Sequence, residues 1–121
     1  MFWQKNGITK KTSDGTMYEQ KDIVLLPFPY TDLTNAKLRP ALIISNNTIN
    51  YTDDRICCLI TSKQTTQGIL LDDLDGSLPF RSWAKPQRIF TIHKKIIKKK
   101  LCSVTPQLHK KILEELNKHL K

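Results

Sequence analysis

From residue 22 onward, short apolar stretches follow one another with only brief polar connectors between them. That spacing constrains the fold more than any other feature of the chain. Ile23–Leu26 is a continuous apolar run stopped by Pro27, and Arg39–Ser45, Arg55–Thr61 and Gly68–Leu71 follow as strand-length segments rich in Ile, Leu and Cys. Phe80–Lys85 is a fifth such segment ending before Pro86, a helical turn fits Thr91–Ile97, and Lys99–Val104 completes the set. Parallel neighbours need a crossover of a dozen or more residues, and these connectors leave no room for one. The strands are therefore expected to pair antiparallel. Asn46-Asn47 ends the second strand, and Tyr30–Lys37 and Tyr51–Asp54 are turn-rich loops.

The clear helix lies at the C-terminus. Thr105 is suited to cap it, Pro106 fits the first helical position, and Leu108, Ile112, Leu113, Leu116 and Leu120 recur at helical spacing. That stripe requires a surface to cover. The expected architecture is mainly β with α+β character: a small SH3-like antiparallel barrel closed by a C-terminal amphipathic helix. At 121 residues the chain suits a single domain over residues 21–121. Residues 1–20 form a leader or an edge hairpin, with Asn6-Gly7 and Asp14-Gly15 as turn signals and Met17 as an alternative start. No apolar stretch approaches the ~18 residues of a membrane span, and the N-terminus has no signal-peptide core. A cytoplasmic protein is expected.

The net charge is +9, and its distribution is uneven. Residues 22–88 balance seven Lys and Arg against seven Asp, whereas residues 89–121 set nine lysines against only Glu114 and Glu115. Such a basic end favours a polyanion or an acidic protein partner, although lysines also serve simply to keep a protein in solution. Cys57, Cys58 and Cys102 match no disulfide or zinc framework, and their apolar setting marks them as small core residues.

Within the balanced segment, two polar side chains stand at strand edges. Arg39 precedes the run Pro40-Ala41-Leu42-Ile43-Ile44, and Thr61 closes Ile56–Ile60. A permanently charged planar donor and a hydroxyl on neighbouring strands are able to converge on one anion, and rigid strands suit phosphate chemistry better than loops do. The alternative for Arg39 is an ordinary ion pair at a strand edge. Phe80, Trp83 and Phe90 are suited either to the core or to stacking on bases.

Other constellations fail. Asp72-Asp73-Leu74-Asp75-Gly76 lacks the acid at Leu71 and the closing glutamate, where Ser82 stands, of a calcium loop, so it reads as an acidic turn. His93, His109 and His119 lack zinc spacing and are expected in solvent. No cofactor or metal site is expected.

Four blocks in chain order carry a resemblance: Asp22–Leu33, Lys37–Asn46, Leu59–Ser62 and Lys85–Ile92. Together they resemble the MazF/PemK family of type II toxins over roughly residues 18 to 120. The resemblance implies a homodimeric, metal-independent, sequence-specific endoribonuclease acting on single-stranded RNA such as mRNA, growth inhibition, and neutralisation by a cognate antitoxin. Carried over by position, Arg39 and Thr61 are the catalytic pair and Gln87 and Arg88 are RNA contacts; Lys37, Ser62 and a stacking Trp83 are expected as further RNA-binding residues. Lys21 departs from the pattern, standing where many members have glycine. RNA supplies its own nucleophile, the 2′-hydroxyl, so the reaction requires no metal in principle. For the base that deprotonates it, Asp32 and His93 are candidates on chemistry alone. A catalytically silent binding module or a CcdB-like topoisomerase inhibitor of the same fold is the alternative class.

Overall fold

A computed structural model describes residues 18–28 and 37–121. The strands are β1 (Asp22–Phe28), β2 (Lys37–Ile43), β3 (Asp54–Thr61), β4 (Ile69–Leu70), β5 (Leu74–Asp75), β6 (Trp83–His93) and β7 (Lys99–Val104). A short helix, α1 (Asn47–Asn50), separates β2 from β3, and α2 (Pro106–Leu120) ends the chain. All seven strands form one sheet in the order β4-β6-β3-β2-β1-β7-β5, and every pairing is antiparallel.

The two edge strands nearly adjoin in sequence, because only residues 71–73 separate β4 on one edge from β5 on the other. The sheet must therefore curl until its edges approach. Leu71 N–H donates to the Ser82 carbonyl on the β6 side at 2.9 Å, and Thr105 N–H donates to the Asp73 carbonyl on the β7 side at 3.1 Å. Both edges are two-residue strands, which leaves little template for pairing with another chain.

Alternation along the strands sends neighbouring residues to opposite faces. One face gathers Ile23, Leu42, Cys58, Ile60, Ala84 and Val104 against Leu108 and Ile112 of α2. The other gathers Val24, Leu26, Phe28, Ala41, Ile43 and Cys57 with Ile97, and there Phe28 and Phe90 meet edge to face at 5.3 Å. Cys57 and Cys58 thus go one to each core, and burial pushes both thiols up to about 12. All three cysteines are free and buried.

Several expectations are revised. Pro27 does not stop β1, because the ladder to β7 ends at Leu25↔Lys99 and nothing beyond it on that side needs the missing N–H. Pro86 lies inside β6, where three residues, Pro86, Gln87 and Arg88, bulge between the pairs Leu59↔Lys85 and Cys58↔Ile89. The strand therefore starts at Trp83 and runs on to His93, and the helical turn shrinks to Lys94–Ile96. Asn46 caps α1 rather than simply opening a loop, and the buried Ser45 hydroxyl donates to Asn50 Oδ1 at 2.6 Å. The acidic turn contains β5. The stripe of α2 is covered only in part, since Leu120 is 70% exposed. His109, expected in solvent, is buried on α2. Lys21 adopts a left-handed backbone (φ 82°), the conformation glycine takes most easily. The proposed structure of residues 1–17 lies outside the described residues.

Candidate active site

The register of the central strands determines what lies beside what. Ala41↔Leu59, Leu42↔Cys58 and Ile43↔Cys57 pair β2 with β3, so the same register continued by two residues sets Arg39 opposite Thr61. The ladder stops at Ala41 because Pro40 brings no N–H to continue it. On the flanking strands Leu26 pairs with Arg39 and Trp83 pairs with Thr61, while Leu70 of β4 pairs with Trp83. Leu26, Arg39, Thr61 and Trp83 therefore form one row across four strands, on the face opposite α2.

Within this row Arg39 is exposed and, among the described residues, no carboxylate pairs with it. The ion-pair reading of Arg39 therefore has no partner there. The Thr61 hydroxyl oxygen accepts from Lys63 N–H at 3.1 Å, which fixes its rotation and leaves its own proton to be donated outward. Lys37 lies two residues before Arg39 and opposite Phe28, hence on the same face. Lys85 is opposite Leu59 on that face as well, and the bulge presents Gln87 and Arg88 to solvent. Ser62 is exposed in the turn that follows Thr61.

None of Lys37, Lys63, Arg81, Lys85 and Arg88 forms an ion pair among the described residues, where two of the acids, Asp22 and Asp53, are engaged far from this row. Asp22 is buried at the far end of β1, where it accepts from Ser103 and Glu19 N–H and lies 3.2 Å from Lys100 Nζ. Asp53 holds Lys94 and His93 at the far end of β3. Among the described residues the result is a cationic surface, without paired acids, around a guanidinium and a hydroxyl. A polar cavity of about 420 Å³, lined by Glu19, Gln20, Lys21, Asn46, Asn47 and Thr48, lies at the other end of β2 and takes no part in this arrangement.

His93 does not join the row. It pairs with Asp54, seven residues down β3 from Thr61, or about 23 Å at the usual rise per residue. Its Nδ1 accepts from Lys95 N–H at 3.1 Å. Asp32 lies outside the described residues. Lys63, Lys85 and Arg81 were not singled out by the sequence, since only the β3–β6 register and the turn after β3 reveal that they border the pair. Among the described residues no group of three His, Cys, Asp or Glu side chains is placed to hold a metal ion. A guanidinium and a hydroxyl on one face can hydrogen-bond an anion together.

This fold and site define the class. The family described as PemK-like, MazF-like toxin of type II toxin-antitoxin system matches residues 19–120. The chain belongs to that family. Among solved structures, an endoribonuclease from a mycobacterial species, in complex with its cognate antitoxin, is 23% identical with a TM-score of 0.72, over 86% of this chain and 95% of that one. MazF from Deinococcus radiodurans is 17% identical with a TM-score of 0.68, over 88% and 98%. The Mycobacterium tuberculosis toxin MazF-mt6 is 15% identical with a TM-score of 0.67, over 82% and 95%. A comparison with curated proteins finds no match.

Proposed function

We propose that this toxin is an endoribonuclease that cuts single-stranded RNA, mRNA included, without a metal ion. The observation that carries the reading is the register that, continued by two residues, sets Arg39 opposite Thr61 with Arg39 exposed and paired with no acid among the described residues. In the reaction the 2′-hydroxyl of the substrate gives up its proton as its oxygen attacks the adjacent phosphorus, the bond to the 5′-oxygen breaks, and that oxygen takes up a proton, so the step is neutral in protons. The products are a 2′,3′-cyclic phosphate and a 5′-hydroxyl end. Arg39 holds the non-bridging oxygens with its planar fork and stabilises the charge that grows on them in the transition state. Thr61, its oxygen already occupied by Lys63 N–H, donates its proton to the same phosphate. Lys37, Ser62, Gln87 and Arg88 contact flanking phosphates and bases, and Trp83 stacks on a base.

The mycobacterial endoribonuclease is held in complex with its cognate antitoxin, which supports a partner of the same kind here. A cognate antitoxin neutralises this chain, the working unit is a homodimer, and the toxin acts in the cytoplasm to inhibit growth. Among the described residues no helix is long and apolar enough to cross a membrane.

The deciding experiment incubates the purified protein with a long transcript in EDTA and maps the fragment ends. Cyclic phosphate ends are expected, and Arg39→Ala should cut roughly a hundred- to a thousandfold more slowly, the usual loss of one oxyanion donor. Its exposed position predicts an unchanged melting temperature. Intact RNA across many sequences, or equal cutting by the variant, would leave only a binding protein of this fold.

A further inference from the structure

We propose that Arg81 and Trp83 together form a base-binding platform that seats the nucleotide next to the phosphate held by Arg39 and Thr61. This rests on the nuclease reading of that pair and adds the element that reads a base. Three observations meet at Trp83. First, among the described residues it belongs to neither hydrophobic cluster, although it sits on an interior strand and faces the same side as the second core. A tryptophan is the largest apolar side chain available, and one left out of the core on a paired strand keeps a ring face for something else. Second, a cation lies over that ring: the Arg81 guanidinium carbon is 5.9 Å from the ring centroid. Arg81 is exposed and has no acid partner among the described residues, so its planar group is available to a ligand.

Third, the platform is rigid. Trp83 is paired with Thr61 on one side and Leu70 on the other. The buried Ser82 before it donates to the Phe80 carbonyl at 2.8 Å. The turn after β3 closes tightly behind it, since a Cβ on Gly68 would come within 3.0 Å of Trp83 Cβ and 2.7 Å of Thr65 Cγ2. Trp83 stands two strands from Arg39, about 10 Å at the usual strand spacing, a distance that places it beside the clamped phosphate rather than on it. Every base has a π face, and an indole flanked by a guanidinium offers a planar, cationic surface on which a single-stranded base stacks. The lysines around Arg39 attract any polyanion, whereas this platform distinguishes nucleic acid from a bare phosphate chain.

The test uses two probes on the full chain: a single-stranded 2′-O-methyl RNA oligomer, which cannot be cut because it lacks the nucleophile, and inorganic polyphosphate, which carries charge but no bases. Trp83→Leu should weaken oligomer binding roughly five- to a hundredfold, the range for one stacked base, while polyphosphate binding stays unchanged. Trp83→Phe should recover most of the loss. Arg81→Lys, at an exposed site where folding is not at risk, keeps the charge but loses the plane, so it should weaken oligomer binding alone. Oligomer affinity unchanged in both Trp83→Leu and Arg81→Lys, an equal loss for both probes, or no oligomer binding by the wild type overturns the platform. Because the oligomer is never cleaved, base-dependent binding without cutting of ordinary RNA would overturn only the nuclease reading. Normal cutting with platform-independent binding would overturn only this one.

Discussion

Histidine 109 shows how burial changes a residue's role. The sequence spacing offers it no metal partners, yet the residue is 8% exposed, and among the described residues its Nε2 has no hydrogen-bond partner. Burial, with the Lys21 ammonium adding like charge, holds its pKa below the ordinary value of 6.5. The unfolded chain therefore takes up a proton at a pH where the folded chain does not. The contribution to stability is complete above about pH 6.5 and is lost as pH falls from there toward the folded value, by no more than about 1.4 kcal/mol per pH unit. Urea unfolding at about pH 7.5 and about pH 5.5 should show this loss in the wild type and a flatter profile in His109→Leu. Parallel profiles for the two proteins would show that the imidazole does not carry the effect. Arg55 is the opposite case: although burial lowers its pKa, it donates to the carbonyls of Tyr18, Thr52 and Asp54 and thereby pins the start of the described chain to β3.

Elements whose signal is local were legible in the sequence. The last strand and the C-terminal helix have the expected bounds, because Thr105, Pro106 and a regular apolar stripe specify a helix start without help from the rest of the chain. Elements that depend on a distant partner were not. The two-residue strand Leu74–Asp75 has no periodicity to detect and exists because it meets Val104 and Ser103 of β7. Pro86 marks a strand end by every local rule and is tolerated only because a three-residue bulge relieves the ladder. One side chain links both kinds of element. The Thr105 oxygen accepts from Leu108 N–H at 3.3 Å as the helix cap, and the same hydroxyl donates to Asp73 Oδ2 at 2.6 Å in the link that closes the sheet. Thr105→Ala should cost about 1 kcal/mol from the cap, measured by chemical denaturation. Asp73→Ala should cost less, since it leaves the cap in place; the reverse order would refute this assignment.

At the scale of the whole molecule, the stretch that carries the excess of charge is not the one that supplies the cations beside the site. The C-terminal third holds most of the excess lysine, yet Lys94, Lys100 and Lys118 are paired with Asp53, Asp22 and Glu115. The cations around Arg39 and Thr61 come from residues 22–88, whose formal charge is zero. If five of these cations each neutralise one RNA phosphate, the log-log dependence of affinity on salt should have a slope of about 3.5 in magnitude. Titrating the non-cleavable oligomer at several salt concentrations measures it, and a flat line would remove this face from RNA binding.

The sequence by itself determined the antiparallel β class, the terminal helix, the family and the two side chains worth watching. Each of these is written in short-range order: connector length, a cap, an apolar period, an arginine before a proline. Only the tertiary structure decided which residues stand beside that pair, because neighbours across strands are set by register and by bulges. A register depends on every strand at once, and no window of sequence contains it.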